Sequence, residues 1–230
     1  MTIDYRGFGY STGSPFERGL IIDGISLVNW AIDVAGIPPN RIVLLGQSLG
    51  TAVATAVADH FITEENVEFK GIVLVAGFSD MPTLLENYAI GGFIPILSPL
   101  RPYPMVQKWF AKHIQETWYT ITRLDNLVRK SKNINLRLIH AKDDYEIPWT
   151  HSNLLFNAAA NATSDRGLNL EQIDAVKIRQ DLGGSGYTNT WTASEENCEY
   201  WENCGTKSIR QDIVFHGGES IGASVWLMVQ

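Results

Sequence analysis

No run of lysine or arginine occurs anywhere in this sequence, and 25 acidic against 18 basic residues leave a formal net charge of −7. That balance argues against a nucleic-acid-binding surface and against a polybasic lipid-binding patch. Long apolar runs are missing as well. The longest are strand-length and broken by Gly, Pro or charge, far from the ~20 residues a membrane-spanning helix needs. Met1-Thr-Ile-Asp4 has neither a basic n-region nor an apolar h-region, so no secretory signal is expected there. Together these absences predict a soluble chain with a small-molecule substrate and no nucleic-acid partner. Cysteine is scarce: Cys198 and Cys204 share one polar stretch, too little to read a disulfide framework or a compartment from. No His or Cys stands at the spacing of a second ligand pair, so no metal and no cofactor is expected. No internal repeat is visible, and the 230 residues suit one α/β domain over 1–230.

What the sequence does contain centres on Gly46-Gln47-Ser48-Leu49-Gly50. Before it stands the apolar β-branched run Arg41-Ile-Val-Leu-Leu45, and after it the small apolar stretch Thr51 to Ala58. Strand, tight turn and helix around G-x-S-x-G form a nucleophile elbow, in which the serine sits at the bend with its hydroxyl exposed. Glycine at both flanks lets the strand and the helix pack closely. Ser48 is the expected nucleophile, and the Leu49 N–H behind it the expected oxyanion donor.

Along the chain, Met1 to Tyr5 reads as the end of a strand and Arg6-Gly-Phe-Gly9 as a turn. Ser14-Pro15-Phe16-Glu17 reads as a capping box, and apolar residues from Phe16 to Ile32 recur at helical spacing until Gly36 and Pro38-Pro39. A strand over 41–46, a helix over 49–61 and a strand over 71–76 follow, and the alternation predicts a parallel sheet covered by helices on both faces. Residues 81–121 change character: five prolines interrupt pieces rich in Tyr88, Phe93, Tyr103, Trp109, Phe110, Trp118 and Tyr119. This segment reads as an aromatic cap over the sheet, either a shield for the core edge or the wall of a lipophilic channel. The sheet resumes at 135–140, with a helix near 150–162. Residues 163–208 read as a polar surface excursion with little regular structure, apart from a strand or short helix within 168–178. Asn161-Ala-Thr163 matches a glycosylation sequon, which without a leader is read as chance. A final strand over 209–215 ends at His216-Gly-Gly218.

A serine hydroxyl needs a base to take its proton, and the base needs an orienting carboxylate. In a sheet of this kind the three groups come from loops at the carboxyl ends of strands, in the order Ser, acid, His. His140-Ala-Lys-Asp143-Asp144-Tyr-Glu-Ile147-Pro148 follows one strand and offers two aspartates. Of five histidines, His60 ends a helix, His113 lies in the cap, and His140 and His151 flank the acid loop too early in the chain. His216 has the required order and context.

With these residues in place the sequence resembles an α/β-hydrolase of the branch that holds the lysophosphatidylserine and monoacylglycerol lipases. The segment Asp4-Tyr-Arg-Gly-Phe-Gly-Tyr-Ser-Thr-Gly-Ser-Pro15 carries most of the likeness, extended by Glu17-Arg-Gly19, Gly46-Gln-Ser-Leu-Gly-Thr51 and His140-Ala-Lys-Asp-Asp144. The resemblance implies a serine esterase or lipase acting on a lipid acyl ester through an acyl-serine. It selects Asp144 as the acid, three residues before Ile147-Pro148. It also implies a strand and a His-Gly loop upstream of Asp4, hence a chain truncated at its N-terminus. Residues 2–5 and 41–46 are then expected to face each other across a gap. Any membrane association is expected to reside in that upstream segment, since the branch often belongs to the endoplasmic reticulum membrane. A catalytic histidine directly after a Gly-Gly pair is implied where this chain has Glu219, and a closing helix where it has Ser220 to Gln230. The alternative is a catalytically inactive hydrolase-like fragment or an acyl-ligand-binding protein.

Overall fold

The computed structural model describes residues 1–87, 89–90, 94–95, 116–164, 166–193, 205–216 and 224–229. Seven strands form one mixed sheet. Its centre is four parallel strands, β1 (Ile42–Gln47), β2 (Gly71–Val75), β5 (Ile134–Ala141) and β8 (Lys207–Val214), laid side by side in that order. Between them run α2 (Leu49–His60), α4 (Thr120–Lys130) and α5 (Thr150–Asn161). A short antiparallel pair, β3 (Ala89–Ile90) with β4 (Ile94–Pro95), follows α3 (Met81–Asn87).

Each crossover steps one strand further in the same direction, and right-handed crossovers that advance one way put their helices on one face. Accordingly α1 (Glu17–Asn29) packs on α2, α2 on α4, and α4 on α5 in a single row. The strands record it. Ile42, Leu44, Ile72, Leu74, Leu136, Leu138, Ile209 and Ile213 are buried beneath the row, while Val43, Leu45, Val73, Val75 and Ile139 on the other face are only partly covered. Among the described residues the helices thus cover one face, where a layer on each was expected. On the partly covered face the Asp212 carboxylate, nearly buried, takes Arg137, Arg210 and the Thr188 hydroxyl.

Several expectations need correction. Residues 1–5 form no strand and lead into the turns at 6–10. The free edge of β1 is instead filled by β9 (Ser224–Val229), antiparallel from Ile42↔Val229 to Gln47↔Ser224, so no gap opens there. An unbroken run of Val, Trp, Leu and Met suits a strand better than an amphipathic closing helix. The region 163–208 is more regular than expected. After α6 (Leu170–Val176), capped by Asn169 and Gln172, β6 (Ile178–Asp181) and β7 (Gly186–Ala193) form a hairpin that extends the sheet beyond β8. Gly183 and Gly184, at φ +63° and +82°, make its turn. In β7 the aromatic residues alternate with threonine: Tyr187 and Trp191 face the helices, and Trp191 Nε1 donates to the buried Thr163 hydroxyl at 3.1 Å. Asn161 of the sequon is also structural, its amide donating to Leu168 O and its carbonyl accepting from Arg129.

The capping box at Ser14 does not form. Phe16 holds the N-cap position without a side-chain bond, and Glu116 from the far side of the chain takes the Glu17 N–H. The Glu17 carboxylate in turn accepts from Trp118 N and Arg123, which ties α1 to the segment entering α4. Of the cap aromatics, Trp118 is buried and Tyr119 half-exposed; Tyr88, Phe93, Tyr103, Trp109 and Phe110 lie outside the described residues, as do Cys198, Cys204 and Glu219. Among the described residues no helix is long and apolar enough to cross a membrane.

Candidate active site

Ser48 stands between the last residue of β1 and the first of α2, at φ +51°, ψ −123°. A non-glycine residue there is strained, and such strain persists only where surrounding structure imposes it. Here the imposition is visible. The Ser48 N–H donates to Val75 O on β2 at 3.0 Å, while its carbonyl accepts from Thr51 N and from the Thr51 hydroxyl at 2.7 Å. Both sides of the bend are therefore pinned. Gly46 lets it close, since a Cβ there would meet the backbone of Gly50 at 2.3 Å. Leu49 opens α2, so its N–H is among the first-turn donors that have no acceptor within the helix. The geometry is that of a nucleophile elbow followed directly by a helix N-terminus.

The acid loop leaves β5 at Ala141. Asp144 Oδ1 accepts from the N–H groups of Glu146 and Ile147, both at 2.9 Å. Its Oδ2 lies 3.5 Å from His140 Nε2. Burial works to raise the Asp144 carboxyl, but His140 and the two backbone donors outweigh it and hold the group below the usual carboxylate range. His216 follows β8, the strand paired with β5, so it reaches the same edge of the sheet. There its Nδ1 lies 3.6 Å from Asp143 Oδ2, and its side chain is 92% exposed. Thus His216 meets Asp143, Asp144 meets His140, and no hydrogen bond among the described residues joins His216 to Ser48. With β2 and β5 intervening, β8 is three strand spacings from β1, about 14 Å. The chain after Val214 must fold back across the sheet edge to bring an imidazole to the serine.

A second polar cluster, not anticipated from sequence, lies behind the elbow. Ala76, at φ +50°, and Gly77 turn the chain out of β2 beside Ser48. Buried Ser79 then places its hydroxyl 3.0 Å from His151 Nδ1 and donates its N–H to the same nitrogen at 3.3 Å. Desolvation lowers His151 below the ordinary imidazole value, partly opposed by Asp80. Only burial reveals this pair, because Ser79 and His151 lie 72 residues apart. No group of three or more His, Cys, Asp or Glu able to hold a metal occurs among the described residues.

A parallel sheet with a strained serine elbow on one strand, and carboxylate and imidazole on loops at the same edge, defines a class. The family model of the alpha/beta hydrolase fold matches residues 1–198, and the chain belongs to that family. Protein ABHD12B of Homo sapiens is 33% identical over 162 residues, 70% of this chain and 42% of that protein. Lysophosphatidylserine lipase ABHD12 of Gallus gallus is 28% identical over 183 residues, 80% of this chain and 44% of that one. The chain thus spans less than half the length of these curated relatives. Among solved structures, an alpha-beta hydrolase from Vibrio vulnificus superposes with a TM-score of 0.53 at 20% identity, covering 67% of this chain and 50% of that one, which shows the fold.

Proposed function

We propose that this chain is a serine hydrolase of carboxylic esters, of the lysophospholipid or monoacylglycerol lipase lineage. The Ser48 elbow carries the reading: its backbone is held in a strained conformation by Val75 and Thr51, an arrangement that presents a hydroxyl and does little else. Ser48 attacks the ester carbonyl, and the Leu49 N–H stabilises the oxyanion. His216 takes the serine proton and returns it to the leaving alcohol, while the carboxylate of Asp144 orients the imidazole. His216, largely in solvent beside Asp143, reaches this position when the chain after Val214 folds back across the sheet edge. A lipid acyl ester fits the likeness to a lysophosphatidylserine lipase and the aromatic character of residues 81–121. The chemistry requires no cofactor.

The alternative is a hydrolase-like acyl-ligand binder without turnover, favoured by the exposure of His216 and its contact with Asp143. Hydrolysis of lysophosphatidylserine and monoacylglycerol by the parent, Ser48→Ala and His216→Ala chains separates the two. Turnover in the parent that both variants abolish supports the enzyme. Acyl-ligand binding without turnover in all three supports the binder.

A further inference from the structure

We propose that His140, at the end of β5, is a positioning residue that fixes the acid loop and the Asp144 carboxylate for ester cleavage, a role that rests on the serine-hydrolase reading above. The residue is 1% exposed. Nε2 lies 2.8 Å from the carbonyl oxygen of Ile147 and 3.5 Å from Asp144 Oδ2. A carbonyl oxygen only accepts, so Nε2 carries the hydrogen. That hydrogen spans the loop from its first residues to its last. Ile147 is then held on both sides of its Cα, by the ring at its carbonyl oxygen and by Asp144 Oδ1 at its N–H. Because the Ile147 side chain is itself buried, the turn has little freedom to move.

The other ring nitrogen argues that this arrangement is not mere packing. His140 Nδ1 is buried and has no hydrogen-bond partner among the described residues. An apolar side chain of similar size would fill the same space without an orphaned polar atom, so the ring costs stability at Nδ1 while Nε2 organises the acid loop. A buried polar group that is unsatisfied at one end and ties a candidate catalytic carboxylate at the other is a mark of a functional position. The charged and titratable groups around it are few. Asp144 lies on the loop side, His151 on α5 is close enough to feel the charge of His140, and Asp80 stands beyond His151. Asp143 and His216 meet on the outer side of the same loop.

Two substitutions separate positioning from packing. His140→Gln keeps an amide N–H at a reach similar to Nε2, and His140→Leu keeps the volume but removes the donor. Thermal melts establish that each variant folds, and the rate of Ser48 labelling by a fluorophosphonate probe is followed from acid to alkaline pH. We expect His140→Leu to label at least about tenfold more slowly, the effect of one lost hydrogen bond to a charged site. Its acid limb should move to higher pH, because Asp144 loses the group that helps keep it ionised. His140→Gln should stay within about threefold of the parent, with the acid limb in place. Equal labelling and an unmoved limb in His140→Leu, or equally slow labelling in both variants, overturns the proposal. If the parent is not labelled at all, the hydrolase reading fails by itself. His140 is then judged by the carboxyl carbon titration of Asp144: a rise in its midpoint in His140→Leu supports positioning, and an unmoved midpoint overturns it.

Discussion

Replacing Gly46 by alanine tests the elbow where its geometry is tightest. A Cβ at this position would lie 2.3 Å from Gly50 O, 2.6 Å from Gly50 C and 2.8 Å from Thr51 Cα. All three are backbone atoms in the first turn of α2, which is itself buried from Gly50 to Ala58. None can rotate away, as the tip of a flexible side chain could. Overpacking in a core that can adjust costs about 1–3 kcal/mol. Here the strand or the helix must shift bodily, so we expect about 3 kcal/mol or more, a large share of the 5–15 kcal/mol typical of a whole domain. At about 2–4 °C per kcal/mol for a chain of this size, Tm should fall by about 6–12 °C. Gly183→Ala is the control. Nothing lies within 4 Å of its added Cβ, and only its φ of +63° is unfavourable, worth about 1–2 kcal/mol. Calorimetric melts of the three proteins give the stabilities, and fluorophosphonate labelling below the lowest Tm reports the elbow itself. Should Gly46→Ala melt within 2 °C of the parent and label at the parent rate, the close approach of β1 and α2 at Ser48 is refuted.

Asp144→Asn should lower ester turnover far more than Asp143→Asn, and the reverse order would assign His216 to the partner it meets here. Because burial depresses His151 below its unfolded value of about 6.5, its contribution is fully present above that pH. Stability is lost as pH falls from there toward the depressed value, and chemical denaturation from pH 8 to 5 should show the loss shrink in His151→Asn. Asp23, held below the usual range by its hydrogen bonds with Arg6, behaves in the acid region. Its share is present above about pH 4 and lost below, a loss that Asp23→Asn should remove from the acid denaturation curve. Trp191→Phe removes the bond to Thr163 from the core and should cost about 1–2 kcal/mol in denaturant melts. Hydrogen exchange in a chain lacking residues 224–230 should speed those amides of β1 that point toward β9, and an unchanged pattern would show that this pairing does not exist.

The elbow and the parallel strands were legible because their signals are local. Apolar β-branched runs, flanking glycines and small helix residues all sit within a few positions of Ser48, and β1, β2, α2, β5 and α5 fall within one or two residues of expectation. What was missed depends on distant partners. Thr and Asn alternating with Tyr187 and Trp191 reads as polar until β8 is beside it. The true cap of α1 is Glu116, 99 residues from Glu17. Amphipathic α4 was not separated from the proline-rich segment before it, although Leu124, Leu127 and Val128 mark its buried side. Within the site, order along the chain could rank Asp143, Asp144 and His216 but could not pair them. That pairing is decided by rotamers and by the path after Val214, and no local pattern encodes either.

The most direct measurement is mass spectrometry of the folded chain after treatment with a fluorophosphonate probe, with the adduct mapped to its peptide. The account predicts a single adduct on Ser48, absent from Ser48→Ala and from protein unfolded before treatment, because only the folded elbow presents the hydroxyl. An adduct on another residue, or labelling that persists in Ser48→Ala, contradicts the nucleophile assignment. No adduct in a correctly folded parent contradicts the claim that this chain is a working serine hydrolase.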